Sequence, residues 1–147
     1  MIVYRITTDQ WSKSLTASGY AARWSAKGYF VIYTAESRSL AWLENLVHRS
    51  GEGNNNLYKV MLIDIPDTIP IENTDAFCLK KDWHTTDNYG YCQSIGSKWL
   101  NELKSAVLKV PSIVIKKEHN YLINPHHPDF KKITLTGNED FDFDRRF

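Results

Sequence analysis

The chain has few cysteines and no excess of charge of either sign, and both shortages restrict what it can be. Two cysteines, Cys78 and Cys92, are too few for a disulfide framework. The 18 Lys and Arg residues nearly balance the 17 Asp and Glu residues, which leaves a net charge of +1. Because a nucleic-acid-binding domain normally carries a clear basic excess, we expect no direct nucleic-acid contact.

Long apolar runs and several familiar motifs are also absent from the sequence. No run is long enough for a transmembrane helix, and the first residues lack the charged and apolar regions of a secretory signal. We therefore expect a cytoplasmic protein with reduced thiols and no membrane partner. The sequence has no P-loop, no Rossmann glycine pattern and no Gly-x-Ser-x-Gly elbow, so a dinucleotide would need another kind of cleft.

Polar residues cluster near the end of the sequence without forming a recognisable metal motif. Three histidines and one aspartate lie close together there, at His119, His126, His127 and Asp129. Their spacing matches no common zinc site, so we expect no bound metal. Asn120 and Asn124 bracket a turn before Pro125, where local backbone hydrogen bonding is their expected role.

Length and residue pattern predict one α+β domain that spans residues 1–147. The composition, 42% hydrophobic and 24% charged, is ordinary for a globular protein with a real core. Alternating or β-branched runs predict strands at 2–6, 29–34, 57–65, 107–110, 113–115, 121–123 and 133–136, a short extended piece within 67–75, and a last strand after 137. Helices are predicted after Glu36 and Ser37 and at 91–106, with a loop at 51–56. Gly96 is costly inside the second helix unless close packing needs it.

The first helix carries a carboxylate on the edge of its apolar face. Leu40, Leu43 and Val47 fall at i, i+3 and i+7, and Glu44 takes the i+4 place in that series. Since burying an isolated charge is expensive, Glu44 must face a cleft or be paired. His48 lies at i+4 from Glu44, so the two side chains can meet. This helix is therefore predicted to carry chemistry on its inner edge.

Four side chains together suit the chemistry of NAD. Arg23 offers a fork of N–H donors for phosphate oxygens, and the ring of Tyr33 can stack on a cationic nicotinamide ring. Glu44 can bond a ribose hydroxyl and stabilise positive charge on a sugar whose glycosidic bond is loosening, while Ser112 can bond an amide or a ribose. Taken singly, each also fits a structural role: a surface ion pair, a core aromatic, a helix-face carboxylate and a strand residue.

The order of these residues resembles that of the RES domain family, named for its arginine, glutamate and serine. The matching motifs are Arg23-Trp24-Ser25-Ala26-Lys27-Gly28, Tyr33-Thr34-Ala35-Glu36, Glu44-Asn45-Leu46-Val47-His48, Val110-Pro111-Ser112, and residues 120–130. They run in order through nearly the whole chain. The sequence departs from the family pattern at Ala21-Ala22, where glycines are common, and at Ser25, where asparagine is common. Those departures concern the geometry of a loop.

The resemblance implies a fold, an activity and a partner. It implies a single α+β domain with a split β core resembling ADP-ribosyltransferases, and a cleft that takes NAD as substrate, with no separate cofactor. RES proteins serve as toxins of bacterial type II toxin–antitoxin pairs, and cleave the nicotinamide–ribose bond by hydrolysis or phosphorolysis, or transfer ADP-ribose to a protein. The usual antitoxin is an Xre-type helix-turn-helix protein that closes the cleft.

The resemblance also assigns roles residue by residue. Glu44 is implied as the catalytic carboxylate, Arg23 as the phosphate and ribose contact, Tyr33 as the nicotinamide platform, and Ser112 as a binding residue. Arg5 resembles a substrate-binding position on the family's first strand. A ribonuclease toxin and a catalytically inactive interaction module stay open as other functions. The acceptor of ADP-ribose is equally open between water, phosphate and a protein side chain.

Overall fold

The computed structural model describes residues 1–48, 57–75, 78–144 and 146. In those ranges the strands are β1 (Ile2–Thr8), β2 (Ile32–Ala35), β3 (Tyr58–Asp64), β4 (Ile71–Asn73), β5 (Val107–Pro111), β6 (His119–Ile123) and β7 (Thr134–Phe141). The α-helices are α1 (Arg38–His48) and α2 (Tyr89–Glu102), and short 3-10 helices lie at Asp9–Trp11, Thr86–Asn88 and Pro128–Lys132. The strands form one sheet in the order β4-β5-β6-β2-β1-β3-β7. The α+β prediction is confirmed.

The sheet has an apolar core on each face because strand side chains alternate. One face packs Val3, Ile32, Met61 and Ile63 against loop residues. On the other face α1 packs Leu40 and Ala41 against Ile6 and Val60, and α2 packs Trp99 and Leu100 against Leu108 and Leu122. All strand pairs are antiparallel except β4 with β5. The two helices therefore cover the same face of the sheet, side by side.

Both helix predictions are confirmed, and the second helix begins two residues earlier than predicted, at Tyr89. Helix α1 begins after Ser37, whose Oγ accepts a hydrogen bond from the amide of Leu40 at 3.1 Å, as expected of a helix cap. Helix α2 ends at Glu102, four residues before the predicted position. Leu103 has a φ of 53°, in the left-handed region, and this conformation terminates the helix.

The predicted strand at 113–115 is wrong. Ser112 Oγ accepts hydrogen bonds from the amides of Val114 and Ile115 at 3.0 and 3.1 Å, so those donors are used in a local turn. A serine side chain that binds the following amides competes with sheet pairing in this way. The second strand also begins later than predicted, at Ile32, whereas the last one runs on through Gly137 to Phe141.

The remaining expectations concern a short strand, a loop and membrane spans. The extended piece expected within 67–75 is confirmed as β4. The loop predicted at 51–56 lies outside the described residues. Across the part of the chain that the structure describes, no helix has both the length and the apolar character needed to cross a bilayer.

Candidate active site

A cavity of about 640 Å³ opens between α1, the helix-covered face of the sheet and the loop that precedes β2. All five residues named as candidates from the sequence line this one cavity: Arg5, Arg23, Tyr33, Glu44 and Ser112. His48 and Asn120 also line this cavity. Residues separated by up to 107 positions in sequence thus meet around one space, which makes this cavity the candidate site.

Glu44 is held by two hydrogen bonds on a single carboxylate oxygen. Ser112 Oγ donates to Oε1 at 2.9 Å, and Asn120 Nδ2 donates to the same Oε1 at 3.2 Å. The other oxygen, Oε2, lies 3.7 Å from Nε2 of His48. The Glu44 side chain is only 20% exposed, whereas that of His48 is 71% exposed. The expected contact between the two residues is confirmed, and it falls at the cavity mouth.

These contacts keep Glu44 ionised in spite of its burial. Burial alone would raise the pKa of Glu44, but the contacts with His48, Ser112 and Asn120 outweigh it and lower the pKa below its ordinary value. In return, Glu44 raises the pKa of His48, against the smaller opposing effect of burial. At neutral pH the cavity therefore contains a carboxylate with a fixed orientation and a full negative charge.

Ser112 is tied to Glu44 rather than left free. It is fully buried at the end of β5, where its hydroxyl oxygen accepts from the two amides of the turn described above. Its one hydroxyl proton is then directed to Glu44. The geometry gives Ser112 a part in orienting the carboxylate, and its direct contact with a substrate stays a prediction.

Helix α2 fixes the loop that carries Arg23. Gly96 lies so close to this loop that a Cβ added there would stand 1.6 Å from the carbonyl oxygen of Trp24. Gln93 Nε2 donates to the carbonyls of Ala22 and Ser25 at 3.0 and 3.3 Å. The glycine that looked costly inside a helix is thus required by close packing, as the sequence suggested.

Arg23 itself is positioned but retains free donors. Its Nη1 donates to the carbonyl of Thr85 at 3.0 Å, and its guanidinium carbon lies 4.7 Å from the centre of the Tyr89 ring. Its buried Nε has no hydrogen-bond partner among the described residues. Since a guanidinium carries five N–H donors and Nε has no partner among the described residues, Arg23 can still donate to an anionic ligand in the cavity.

Tyr33 supports the same loop through its hydroxyl group. The hydroxyl lies 2.7 Å from Ser25 Oγ and accepts from the amide of Trp24 at 3.2 Å. Burial raises the pKa of Tyr33 to about 12, so the phenol stays protonated at neutral pH. Tyr33 lines the cavity while its hydroxyl holds the loop. The stacking role predicted for its ring is compatible with this arrangement and stays a prediction.

Arg5 is placed less favourably for a substrate than the other candidates. Its Nη1 donates to the carbonyl of Thr16 at 2.7 Å, and burial lowers its pKa. Strand alternation directs its side chain to the face opposite Tyr4 and Ile6, the neighbours that share the face of α1. Arg5 still contributes to the cavity lining, and its substrate contact stays a prediction.

Sequence reasoning missed the part played by Asn120. The expectation that Asn120 bonds locally at a turn is wrong, because it lies inside β6 and its amide reaches Glu44 on α1. The matching expectation for Asn124 is confirmed, since its Oδ1 accepts from the amide of His126 at 3.0 Å. A polar residue within a run of strand formers was the available signal for Asn120.

The fold and the cavity define an α+β protein with one pinned, ionised carboxylate among arginine and tyrosine side chains. Within the described ranges, no three His, Cys, Asp or Glu side chains converge to hold a metal ion. A family model described as RES domain matches residues 2–144. The chain belongs to the RES domain family.

Curated relatives align with nearly all of the chain. It is 34% identical to "Toxin Res" of Photorhabdus laumondii, with 99% of this chain and 96% of the relative covered. It is 32% identical to the "Prs ADP-ribosylating toxin" of a Sphingobium strain, over 87% of this chain and 89% of the relative. "Toxin Res" of Yersinia enterocolitica is 33% identical, over 89% and 88%.

The fold is also found in a solved structure. The chain is similar to a chain in the crystal structure of the M. tuberculosis MbcT–MbcA toxin–antitoxin complex, with a TM-score of 0.77. The alignment covers 95% of this chain and 83% of the other, at 16% sequence identity. At that identity the likeness establishes the fold.

Proposed function

We propose that this protein is the toxin of a toxin–antitoxin pair and that it consumes NAD by cleaving the bond between nicotinamide and ribose. The observation that carries the proposal is the ionised Glu44, pinned through one oxygen and facing a cavity that Arg23 and Tyr33 also line. The names of relatives that align with nearly the whole chain, two called Toxin Res and one an ADP-ribosylating toxin, support the same class.

The charge and size of the cavity suit NAD. Among the described residues that line it, three are basic, Arg5, Arg23 and His48, and one is acidic, Glu44. This balance favours a ligand that carries a diphosphate, which the fork of Arg23 can bind. A volume of about 640 Å³ lies within the range of cavities that hold small ligands. The ring of Tyr33 would then form the platform for nicotinamide.

Glu44 would act on the bond that breaks. As the C–N bond opens, its electron pair moves to the nicotinamide nitrogen and neutralises the positive ring, while positive charge develops on the ribose. A carboxylate hydrogen-bonded to a ribose hydroxyl stabilises that developing charge, and a fixed carboxylate needs no reorientation at that moment. An acceptor oxygen then bonds to the ribose carbon and loses its proton to solvent.

The group that accepts ADP-ribose distinguishes the reactions that this site could catalyse. Water would give ADP-ribose and phosphate would give its 1″-phosphate, so the proposal covers both hydrolysis and phosphorolysis. Transfer to a protein side chain is the second candidate, and the name of the Sphingobium relative favours it. All three reactions would use Glu44 in the same way. They differ only in the group that enters the cavity after nicotinamide leaves.

The proposal includes a cytoplasmic location and a protein partner. Two apolar side chains stand at the cavity and are largely exposed, Tyr20 at 80% and Val47 at 60%. A partner that covers them would also block the cavity and restrain the toxin. We propose an Xre-type antitoxin for this role, in line with the resemblance described above.

The test is NAD turnover by the purified chain, freed of any antitoxin, with and without phosphate. We expect NAD to disappear and the product mass to identify the acceptor, while Glu44→Gln lowers kcat by roughly 100- to 1,000-fold. Glu102→Gln is the matched control, because Glu102 lies on α2 and pairs with Lys98 and Lys104 away from the cavity. Intact NAD, with no ADP-ribose on any lysate protein, would overturn the proposal, and broken RNA in its place would point to a ribonuclease.

A further inference from the structure

Asn120 holds an unusual place for a polar side chain. It lies inside β6, where the register pairs it with Ala35 of β2 and Val110 of β5. Paired residues of neighbouring strands project to the same face, and two residues along β6 that face carries the fully buried Leu122. Asn120 is therefore a polar exception on an apolar face in the middle of the sheet.

The side-chain hydrogen bond of Asn120 goes to another element and not to its own strand. Its Nδ2 donates to Glu44 Oε1 at 3.2 Å, whereas its buried Oδ1 has no hydrogen-bond partner among the described residues. An unpartnered buried carbonyl oxygen destabilises a fold, because the hydrogen bonds it made to water in the unfolded chain are not replaced. Among the described residues, the contact with Glu44 is the hydrogen bond that the Asn120 side chain makes, and it links β6 to the carboxylate on α1.

Asn120 and Ser112 constrain the carboxylate from two separate elements. Ser112 belongs to the turn after β5, and Asn120 belongs to the inner strand β6. Both donate to Oε1, so the carboxylate cannot rotate about its own axis without losing both bonds. The oxygen left for other contacts is Oε2, on the side of His48.

We propose that Asn120 is a positioning residue that, together with Ser112, holds Oε1 of Glu44 so that Oε2 is the oxygen presented to the substrate. The inference rests on the proposed function only for what the substrate is. The orientation of Glu44 is a property of the free protein. It can therefore be tested without NAD as well as with it.

The variants are Asn120→Ala, which removes the donor, and Asn120→Asp, which keeps the shape but replaces the donor with a carboxylate. Asn45→Ala is the matched control. Asn45 is a second asparagine of the cavity lining with a buried, unpartnered Oδ1, but its Nδ2 donates to the carbonyl of Ile6 and not to Glu44. Circular dichroism and thermal unfolding of each variant establish that the fold is retained.

Two measurements follow on the folded variants. A carboxyl NMR titration without substrate should show that the pKa of Glu44 rises in Asn120→Ala, rises further in Asn120→Asp, and keeps its value in Asn45→Ala. In the NAD assay, kcat should fall about 10- to 100-fold with little change in KM, since a displaced catalytic group costs rate rather than binding. The acid limb of the pH–rate profile should move to higher pH.

Other charged or titratable groups line the same cavity as Glu44. They are Tyr4 and Arg5 on β1, Tyr20 and Arg23 in the loop before β2, Tyr33 on β2, His48 on α1 and Tyr89 on α2. Among the hydrogen bonds of the described residues, the Asn120 side chain has Glu44 as its one partner. The pKa of His48 is raised by Glu44, so it should shift with Glu44 in Asn120→Ala.

The outcomes separate this inference from the proposed function. If the pKa of Glu44 rises in Asn120→Ala but the wild type leaves NAD intact, the positioning role stands and the proposed substrate is wrong. If the wild type consumes NAD but Asn120→Ala leaves both kcat and the pKa of Glu44 unchanged, the positioning role is wrong. An increase in KM alone would equally overturn it, because that result would make Asn120 a binding residue.

Discussion

Replacing Gly96 by alanine should separate stability from activity in this protein. The new Cβ would stand 1.6 Å from the carbonyl oxygen of Trp24, so that oxygen must withdraw by about 2 Å to reach ordinary contact distance. The displaced segment is the loop that Gln93 and Tyr33 hold, and it carries Arg23. The guanidinium would therefore leave its place beside Tyr89.

The two effects of Gly96→Ala on stability oppose each other, and the clash is the larger because it falls on backbone rather than on the end of a flexible side chain. Overpacking costs about 3 kcal/mol or more, whereas alanine in place of glycine stabilises a helix by about 1 kcal/mol, so the net loss is at least about 2 kcal/mol. Activity has no such compensation. A shift of about 1 Å in a substrate-positioning group can cost about 100-fold in rate. We expect NAD turnover to fall by about that factor in a protein that still unfolds cooperatively.

Gly90→Ala is the matched control for this experiment. Gly90 lies in the same helix, and no described heavy atom lies within 4 Å of the place its Cβ would take. This variant should gain about 0.5–1 kcal/mol and keep wild-type turnover. NAD turnover and thermal unfolding are measured on both variants. If Gly96→Ala instead unfolds at a higher temperature with full activity, the close contact between α2 and the loop is wrong.

Two further substitutions address the surroundings of Glu44 and Arg23. Tyr33→Phe keeps the ring but removes the hydroxyl that binds Ser25 and Trp24, so kcat/KM should fall about tenfold as the loop loosens; an unchanged kcat/KM would mean that the hydroxyl does not hold the loop. His48→Gln tests the ion pair with Glu44. Because Glu44 raises the pKa of His48 above 6.5, the pair stabilises the fold fully below pH 6.5 and loses this contribution as the pH rises through the folded-state pKa. Thermal unfolding of His48→Gln should lack that alkaline decline, and an identical decline in the variant would contradict the pairing.

Local patterns in the sequence were sufficient for the helix that carries Glu44. The i, i+3, i+7 spacing correctly placed Leu40 on the buried side of α1 and Glu44 at its edge, but it was wrong for Val47, which is 60% exposed at the cavity. The capping role of Ser37 was equally readable from residue type and position. Such features depend on neighbours along the chain, so a single sequence contains them. Gly96 stood out from its place inside a helix, but the partner that requires it, Trp24, lies in a distant segment.

The parts that sequence reasoning missed depend on contacts between distant segments. Asn120 reaches Glu44 only because β6 lies beside β2 and β5 in the sheet, and residue periodicity does not encode strand order. The wrong strand at 113–115 has a different cause, because the side chain of Ser112 takes the amides that a strand would have paired. Leu103 ends α2 in a conformation that its residue type does not favour.

The most direct test of the central claim is nicotinamide release from NAD by the wild type and by Glu44→Gln, with NAD binding to the variant measured by calorimetry. If Glu44 stabilises the breaking bond, the variant should bind NAD about as well as the wild type while kcat falls by roughly 100- to 1,000-fold. Nicotinamide release at the wild-type rate by Glu44→Gln would contradict the account.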